Sequence, residues 1–260
     1  MTENHQPSQF NQQGFSVFDA LFTAQEIAEI NREIEQIVAE QQLGMVYEDD
    51  GKTLRSINGS HQYNAKMAAL TKDPRLLRIA KSLIPDELYV HQFKINFKSA
   101  FCGDIWEWHQ DYYFWQQEDG MPGDQAISIA IFLDDVSEFN SPLTFIPGTH
   151  NKGTFAFDKR REAQNNAANW EQTTATKLKY QYDETVIKNL VKTNGLNAPK
   201  GKAGTGLVFH SNILHASSAN ISPYRRGLLI ISYNALSNKL NPVENPRPTF
   251  LASRDFSPVT

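Results

Sequence analysis

From residue 88 onward the chain reads as short apolar runs separated by polar turns, and nothing else in it limits the fold as strongly. LYVHQFKINFK (88–98) is rich in β-formers and partly alternates; ISIAIFLDD (127–135), SPLTFIPGTH (141–150), GTGLVFH (204–210) and RGLLIISYNAL (226–236) continue the pattern. The segments 127–135 and 141–150 are expected to pair with each other. Helical signals lie ahead of these strands. Thr23 and Glu26 have capping-box spacing, and Ile27, Ile30, Ile34, Ile37 and Val38 recur at helical intervals, which predicts a helix over 24–42. Pro74 suits a first turn, and Leu76, Leu77, Ala80, Leu83 and Ile84 form one face, which predicts a second helix over 73–84. GFSVF (14–18) reads as a short strand. Helices first and strands after argue an α+β, mainly β fold with the strands rolled into a sandwich or barrel.

At 260 residues and 40% hydrophobic, the chain can bury one large core, and sandwiches of this size are often undivided. Residues 1–13 are rich in Gln and Asn and are expected to be flexible; 14–260 form a single domain. Residues 151–203 are polar, carry KRRE and QNN runs, and hold one helical segment (183–193) ending before Gly195. An excursion of that size between strands is a lid or a surface insertion. The net charge is −4 and no basic stripe occurs, which argues against nucleic-acid binding. There is no run of about 18 apolar residues to span a membrane. The N-terminus lacks the layout of a secretory signal, and the single Cys102 suits a reducing compartment, so a cytoplasmic enzyme is expected.

The chemistry concentrates in WEWHQDYYFW (106–115), where His109 and Asp111 stand two apart among aromatics. On a strand, such residues share one face, with Trp108 and Gln110 on the other. Two ligands from one strand and a histidine from a later one form the 2-His-1-carboxylate triad of non-haem Fe(II) oxygenases, which leaves coordination positions open. The aromatic flanks would hold a small organic substrate and keep water out. His210 and His215 compete for the third position. His215 is favoured because Ser217 and Arg226 follow it, a hydroxyl and a planar guanidinium that can grip the distal carboxylate of 2-oxoglutarate. Arg225, beside it, could fill the clamp role instead. A zinc hydrolase on the same ligands lacks an obvious general base and leaves Arg226 unexplained. A non-catalytic ligand-binding jelly-roll has no reason to keep all four residues.

WEWHQDYYFWQQEDGMP, IFLDDVSEFNSPLTFIPGTH and LHASSANISPYRRGLLIISYNA together resemble the phytanoyl-CoA dioxygenase superfamily of Fe(II)/2-oxoglutarate-dependent oxygenases. Within it the resemblance is to the bacterial branch holding ectoine hydroxylase and the free L-proline trans-4-hydroxylases. VHQFKIN (90–96) and PRPTFLASRD (246–255) look closer to the latter. The resemblance implies a double-stranded β-helix (jelly-roll) core with flanking N-terminal helices. It implies iron on His109, Asp111 and His215, and 2-oxoglutarate on Arg226 with Ser217. Gln92 is expected to touch cosubstrate or substrate, Trp106 to line the cosubstrate side, and Trp115 the substrate side. Ala216 stands where relatives commonly have glycine. The retained Asp111 implies hydroxylation rather than halogenation, with O2 consumed and succinate and CO2 released. The expected substrate is a free amino acid, proline-like or aliphatic such as leucine, with an ectoine-type or specialised-metabolite hydroxylase as the alternative. Its carboxylate needs a cation: Arg55, Arg247 and Arg254 are candidates.

Overall fold

The computed structural model describes residues 6–155, 178–180 and 182–260. Helix α1 (Gln6–Gln13) leads into β1 (Phe15–Phe18), followed by α2 (Ala24–Ala39), β2 (Met45–Tyr47), β3 (Leu54–Asn58), α3 (Ala65–Leu70) and α4 (Pro74–Leu83). Then come β4 (Leu88–Lys98), β5 (Trp106–His109), a short helix α5 (Asp111–Phe114), β6 (Ala126–Phe132) and β7 (Thr144–Phe145). Helix α6 (Glu184–Asn194), β8 (Gly206–His210), β9 (His215–Ser217) and β10 (Arg226–Ala235) follow. A seven-stranded antiparallel sheet runs β1-β8-β6-β10-β4-β3-β2, and a three-stranded sheet runs β5-β9-β7. The two sheets form a jelly-roll core. No helix among the described residues is long and apolar enough to cross a membrane.

Strand β10 is central and buried throughout, and its alternation separates two environments. Leu229, Ile231 and Tyr233 join Ile34, Ile37, Leu76 and Ala80 in a core between the large sheet and the helices. Leu228 and Ile230 point the other way, to Phe132, Phe145 and Phe209 between the sheets. The four isoleucines of α2 are all buried; each contributes about 1.5–3 kcal/mol relative to exposure. The helix opens on the expected capping box: the Glu26 amide donates to Thr23 Oγ1 at 3.2 Å, and the Thr23 amide donates to Glu26 Oε2 at 2.7 Å. Strand β4 explains its own imperfect alternation. Phe93, Ile95 and Phe97 belong to the helix-side core, whereas Gln92, Lys94 and Asn96 line a cavity between the sheets.

Several expectations need correction. Residues 6–13 are not loose but helical, because Phe10 is buried in the helix-side core and its carbonyl accepts from the Gly14 amide at 2.7 Å. Residues 1–5 lie outside the described residues, as do 156–177 and 181 of the 151–203 excursion. The 141–150 segment does not pair with 127–135. Both edges of β6 are taken, by β8 and β10, and Thr144–Phe145 pairs instead with Ala216–His215 in the small sheet. The short strands β2 and β3 were not anticipated.

Candidate active site

His109 ends β5 and His215 opens the neighbouring β9; the two are register partners, with ring centroids 4.2 Å apart. Asp111 is not on the strand as expected. Gln110 is extended (φ −116°, ψ 121°), and Asp111 is the first residue of α5. One extended residue is enough to bring Asp111 back to the face of His109, and its Oδ1 lies 3.7 Å from His109 Nε2. Ligand atoms of His109, Asp111 and His215 all lie within 4.8 Å of one another, and the three residues are buried. Gln110 faces away: its amide donates to Asn212 O at 2.7 Å and it accepts from the Tyr182 hydroxyl at 2.5 Å.

Hydrogen bonds fix the imidazole orientation. His109 Nδ1 is 2.7 Å from Glu107 O, and His215 Nδ1 is 3.1 Å from Ile213 O. A carbonyl only accepts, so both Nδ1 atoms carry the proton and both Nε2 lone pairs are left for a cation. Burial, assisted by His215, brings the His109 pKa down to about 3. Burial also lowers His215. For Asp111 burial acts upward, but the positive charge of Lys94 foremost outweighs it and lowers the carboxyl. Two neutral imidazoles beside an ionised carboxylate are the protonation states that metal binding requires. Asp111 Oδ2 is buried without a hydrogen-bond partner, an orphaned acceptor that a divalent ion would satisfy. The donor set therefore fits ferrous iron with open positions for other ligands.

Two arginines line the same cavity as the triad, Arg226 and Arg247. Arg226 is buried and donates from Nε and Nη2 to Ser141 O at 3.0 and 2.8 Å. Burial brings its pKa down to about 9 against an opposing effect of Asp134, which leaves it charged at neutral pH. The Ser217 hydroxyl is buried beside the cavity with no protein partner. Arg247 donates to both oxygens of Asp119, at 2.8 and 2.6 Å. Gln92 lines the cavity and donates to Leu251 O at 2.6 Å. Trp106 and Trp115 both line it, Trp115 in a T-shaped contact with His91, ring centroids 4.8 Å apart.

His210, the competing ligand, is elsewhere. Its ring lies tilted beside that of His150, with centroids 5.2 Å apart, and its Nδ1 accepts from the Asn212 amide. Arg55 is not among the residues lining the cavity. It is buried behind Trp106, with its guanidinium 4.0 Å over that ring and paired to Glu48 at 2.8 Å. A charge stacked and paired in this way fixes Trp106 rather than meeting a ligand. Arg254 spends a donor on Asp119 O at 3.1 Å. Lys94 was missed. Its Nζ lies 3.7 Å from Asp111 Oδ1, and its position two residues after Gln92 on β4 was the available signal. Asp119, which holds Arg247 from 128 residues away in sequence, left no such signal.

The model of the phytanoyl-CoA dioxygenase (PhyH) family matches residues 10–228. L-Proline trans-4-hydroxylase from Streptomyces griseoviridis is 38% identical over 234 residues, covering 90% of this chain and 86% of that protein. Two crystal structures of EctD from S. alaskensis superpose on the fold. The one with bound Fe has a TM-score of 0.82 at 30% identity, covering 100% of this chain and 86% of that one. The one with 2-oxoglutarate and 5-hydroxyectoine has a TM-score of 0.81 at 31% identity, covering 98% and 84%.

Proposed function

Since the chain belongs to the phytanoyl-CoA dioxygenase family and is an Fe(II)/2-oxoglutarate-dependent dioxygenase, we propose that it hydroxylates an unactivated C–H of a free amino acid, proline-like or aliphatic such as leucine. The overall conversion consumes the amino acid, 2-oxoglutarate and O2. It yields the hydroxy amino acid, succinate and CO2, with one oxygen atom in the new hydroxyl and the other in succinate.

In this reading His109, Asp111 and His215 hold the iron through Nε2, a carboxylate oxygen and Nε2. When bound, iron supplies the activation of O2 that couples decarboxylation of 2-oxoglutarate to C–H oxidation. Arg226 and the Ser217 hydroxyl take the distal carboxylate of 2-oxoglutarate, with Gln92 and Trp106 along its flank. Lys94 offers an ammonium beside Asp111. Trp115 walls the substrate side and excludes water. The observation that carries the proposal is the second guanidinium. A site built for 2-oxoglutarate alone needs one arginine, and here Arg247 also lines the cavity, held by Asp119. A buried arginine in that place suits a substrate carboxylate.

Ectoine also carries a carboxylate, and the likeness to EctD with 5-hydroxyectoine supports an ectoine-type hydroxylase as the second reading. Succinate release by the Fe(II)-loaded enzyme across the free amino acids and ectoine, with mass spectrometry of the products, separates the two. One amino acid gaining a single oxygen is the expected result. Stimulation by ectoine and by no amino acid overturns it.

A further inference from the structure

Ser141 is fully buried and has φ of +69°, in the left-handed region that side chains other than glycine rarely adopt. Pro142 follows it, and a residue before proline is pushed towards extended backbone, so the conformation is doubly unfavourable. Such strain persists only where the surroundings impose it. Here they do. Asn140, itself buried, accepts from the Ser137 amide at 2.8 Å and donates to Asp135 O at 2.7 Å. The Ser141 hydroxyl donates to Ser218 O in the β9–β10 loop. At the start of the β6–β7 loop, Asp134 accepts from the Gly227 amide at 2.6 Å and from Arg225 Nε at 3.0 Å. The β6–β7 loop thus grips the start of β10 on both sides of Arg226.

We propose that Ser141 is a positioning residue for 2-oxoglutarate: its left-handed backbone turns its carbonyl onto Nε and Nη2 of Arg226 and so sets which edge of the guanidinium meets the cosubstrate. The inference rests on the reading of Arg226 as the clamp for the distal carboxylate. One carbonyl oxygen takes Nε–H and the adjacent Nη2–H, at 3.0 and 2.8 Å, and occupies that edge. The edge formed by Nη1 and the remaining Nη2–H is left for a carboxylate, two parallel donors in bidentate geometry. With rotation about the guanidinium blocked, the distance from clamp to triad is fixed. That distance selects the length of the dicarboxylate.

Anaerobic titration of the Fe(II)-loaded enzyme with 2-oxoglutarate and with 2-oxoadipate, one methylene longer, reads this directly through the visible charge-transfer band. Ser141→Val disfavours the left-handed region. It is expected to weaken 2-oxoglutarate binding by roughly ten- to a hundred-fold, the weight of a hydrogen bond to a charged group, and to narrow the preference for 2-oxoglutarate over 2-oxoadipate. Ser141→Asn, which tolerates that region, should retain most of the preference. A merely structural role would lower the melting temperature and leave the ratio of the two Kd values intact. A Ser141→Val protein that melts cooperatively and keeps the parent ratio overturns the proposal. If that variant does not fold, Ser141→Ala decides, since it deletes only the tether to Ser218: a reduced ratio supports the inference and an unchanged one overturns it. Arg226→Lys separates the two layers. If it leaves 2-oxoglutarate binding unchanged, the reading of the clamp itself fails; if it weakens binding while the Ser141 variants do not, only the present inference fails.

Discussion

Asp119→Asn removes a single charge from a buried pair at the cavity wall. The Asp119 side chain is 0% exposed and that of Arg247 6%. His91 Nε2 lies 3.3 Å from the same carboxylate. Burial alone would raise the Asp119 carboxyl, but the charge and hydrogen bonds of Arg247 outweigh it and bring the pKa to about 2. A carboxyl held at about 2 rather than 3.8 stabilises the fold by on the order of 2 kcal/mol. The folded-state value is the depressed one, so this stabilisation is complete above about 4 and is lost as the pH falls through 2. The asparagine variant lacks it at every pH and also leaves a buried guanidinium facing a neutral partner. Breaking one side of a buried ion pair costs about 3–5 kcal/mol. At an unfolding entropy of about 2.1 cal/mol/K per residue, a chain of this length should lose roughly 5–9 °C in Tm. Calorimetry at neutral pH and again near pH 3 tests this: the gap between parent and variant should be wide in the first and narrower in the second. Substrate KM should rise, while anaerobic binding of 2-oxoglutarate, which depends on Arg226, should hold. A variant melting within about 1 °C of the parent at neutral pH, with no change in substrate KM, would refute the reasoning.

His215→Ala should abolish binding of Fe(II), measured by metal analysis after anaerobic gel filtration, whereas His210→Ala should retain it; the opposite pattern removes His215 from the ligand set. Phe10→Ala should destabilise the protein by about 3–5 kcal/mol in denaturant unfolding, since its ring is 5% exposed in the helix-side core. A cost of only a few tenths would mean that α1 does not dock.

The longest apolar strands, β4, β6, β8 and β10, were legible because burial on one or both faces writes itself into the residue pattern. The strands β2 and β3 were not. MVY and LRSIN are short and mixed, and their order comes from neighbours such as β4 rather than from their own composition. By sequence His109 and Asp111 fall on one strand, yet the chain breaks into β5 and α5 at Gln110. Nothing local distinguishes Tyr112 and Phe114 in a helix from the same residues in a strand. Spacing within HQD predicted the convergence of His109 and Asp111 for a reason that survives this break, because a single extended residue preserves the face. Pairings across long separations stayed hidden. Arg247 with Asp119 and Arg226 with Ser141 depend on where loops meet, which sheet register decides and no short stretch encodes.

The two cavity arginines enter by different routes. Arg226 is embedded in the central strand of the large sheet, whereas Arg247 arrives on an irregular stretch beyond β10, pinned from outside the sheet by Asp119 and continued by Leu251, whose carbonyl caps Gln92. The metal ligands and Arg226 are therefore carried by β5, α5, β9 and β10, whereas the tail between about 240 and 254 carries Arg247 and, through Leu251, the hold on Gln92. A change confined to that tail is expected to disturb Arg247 and Gln92 while leaving His109, Asp111, His215 and Arg226 on their own elements.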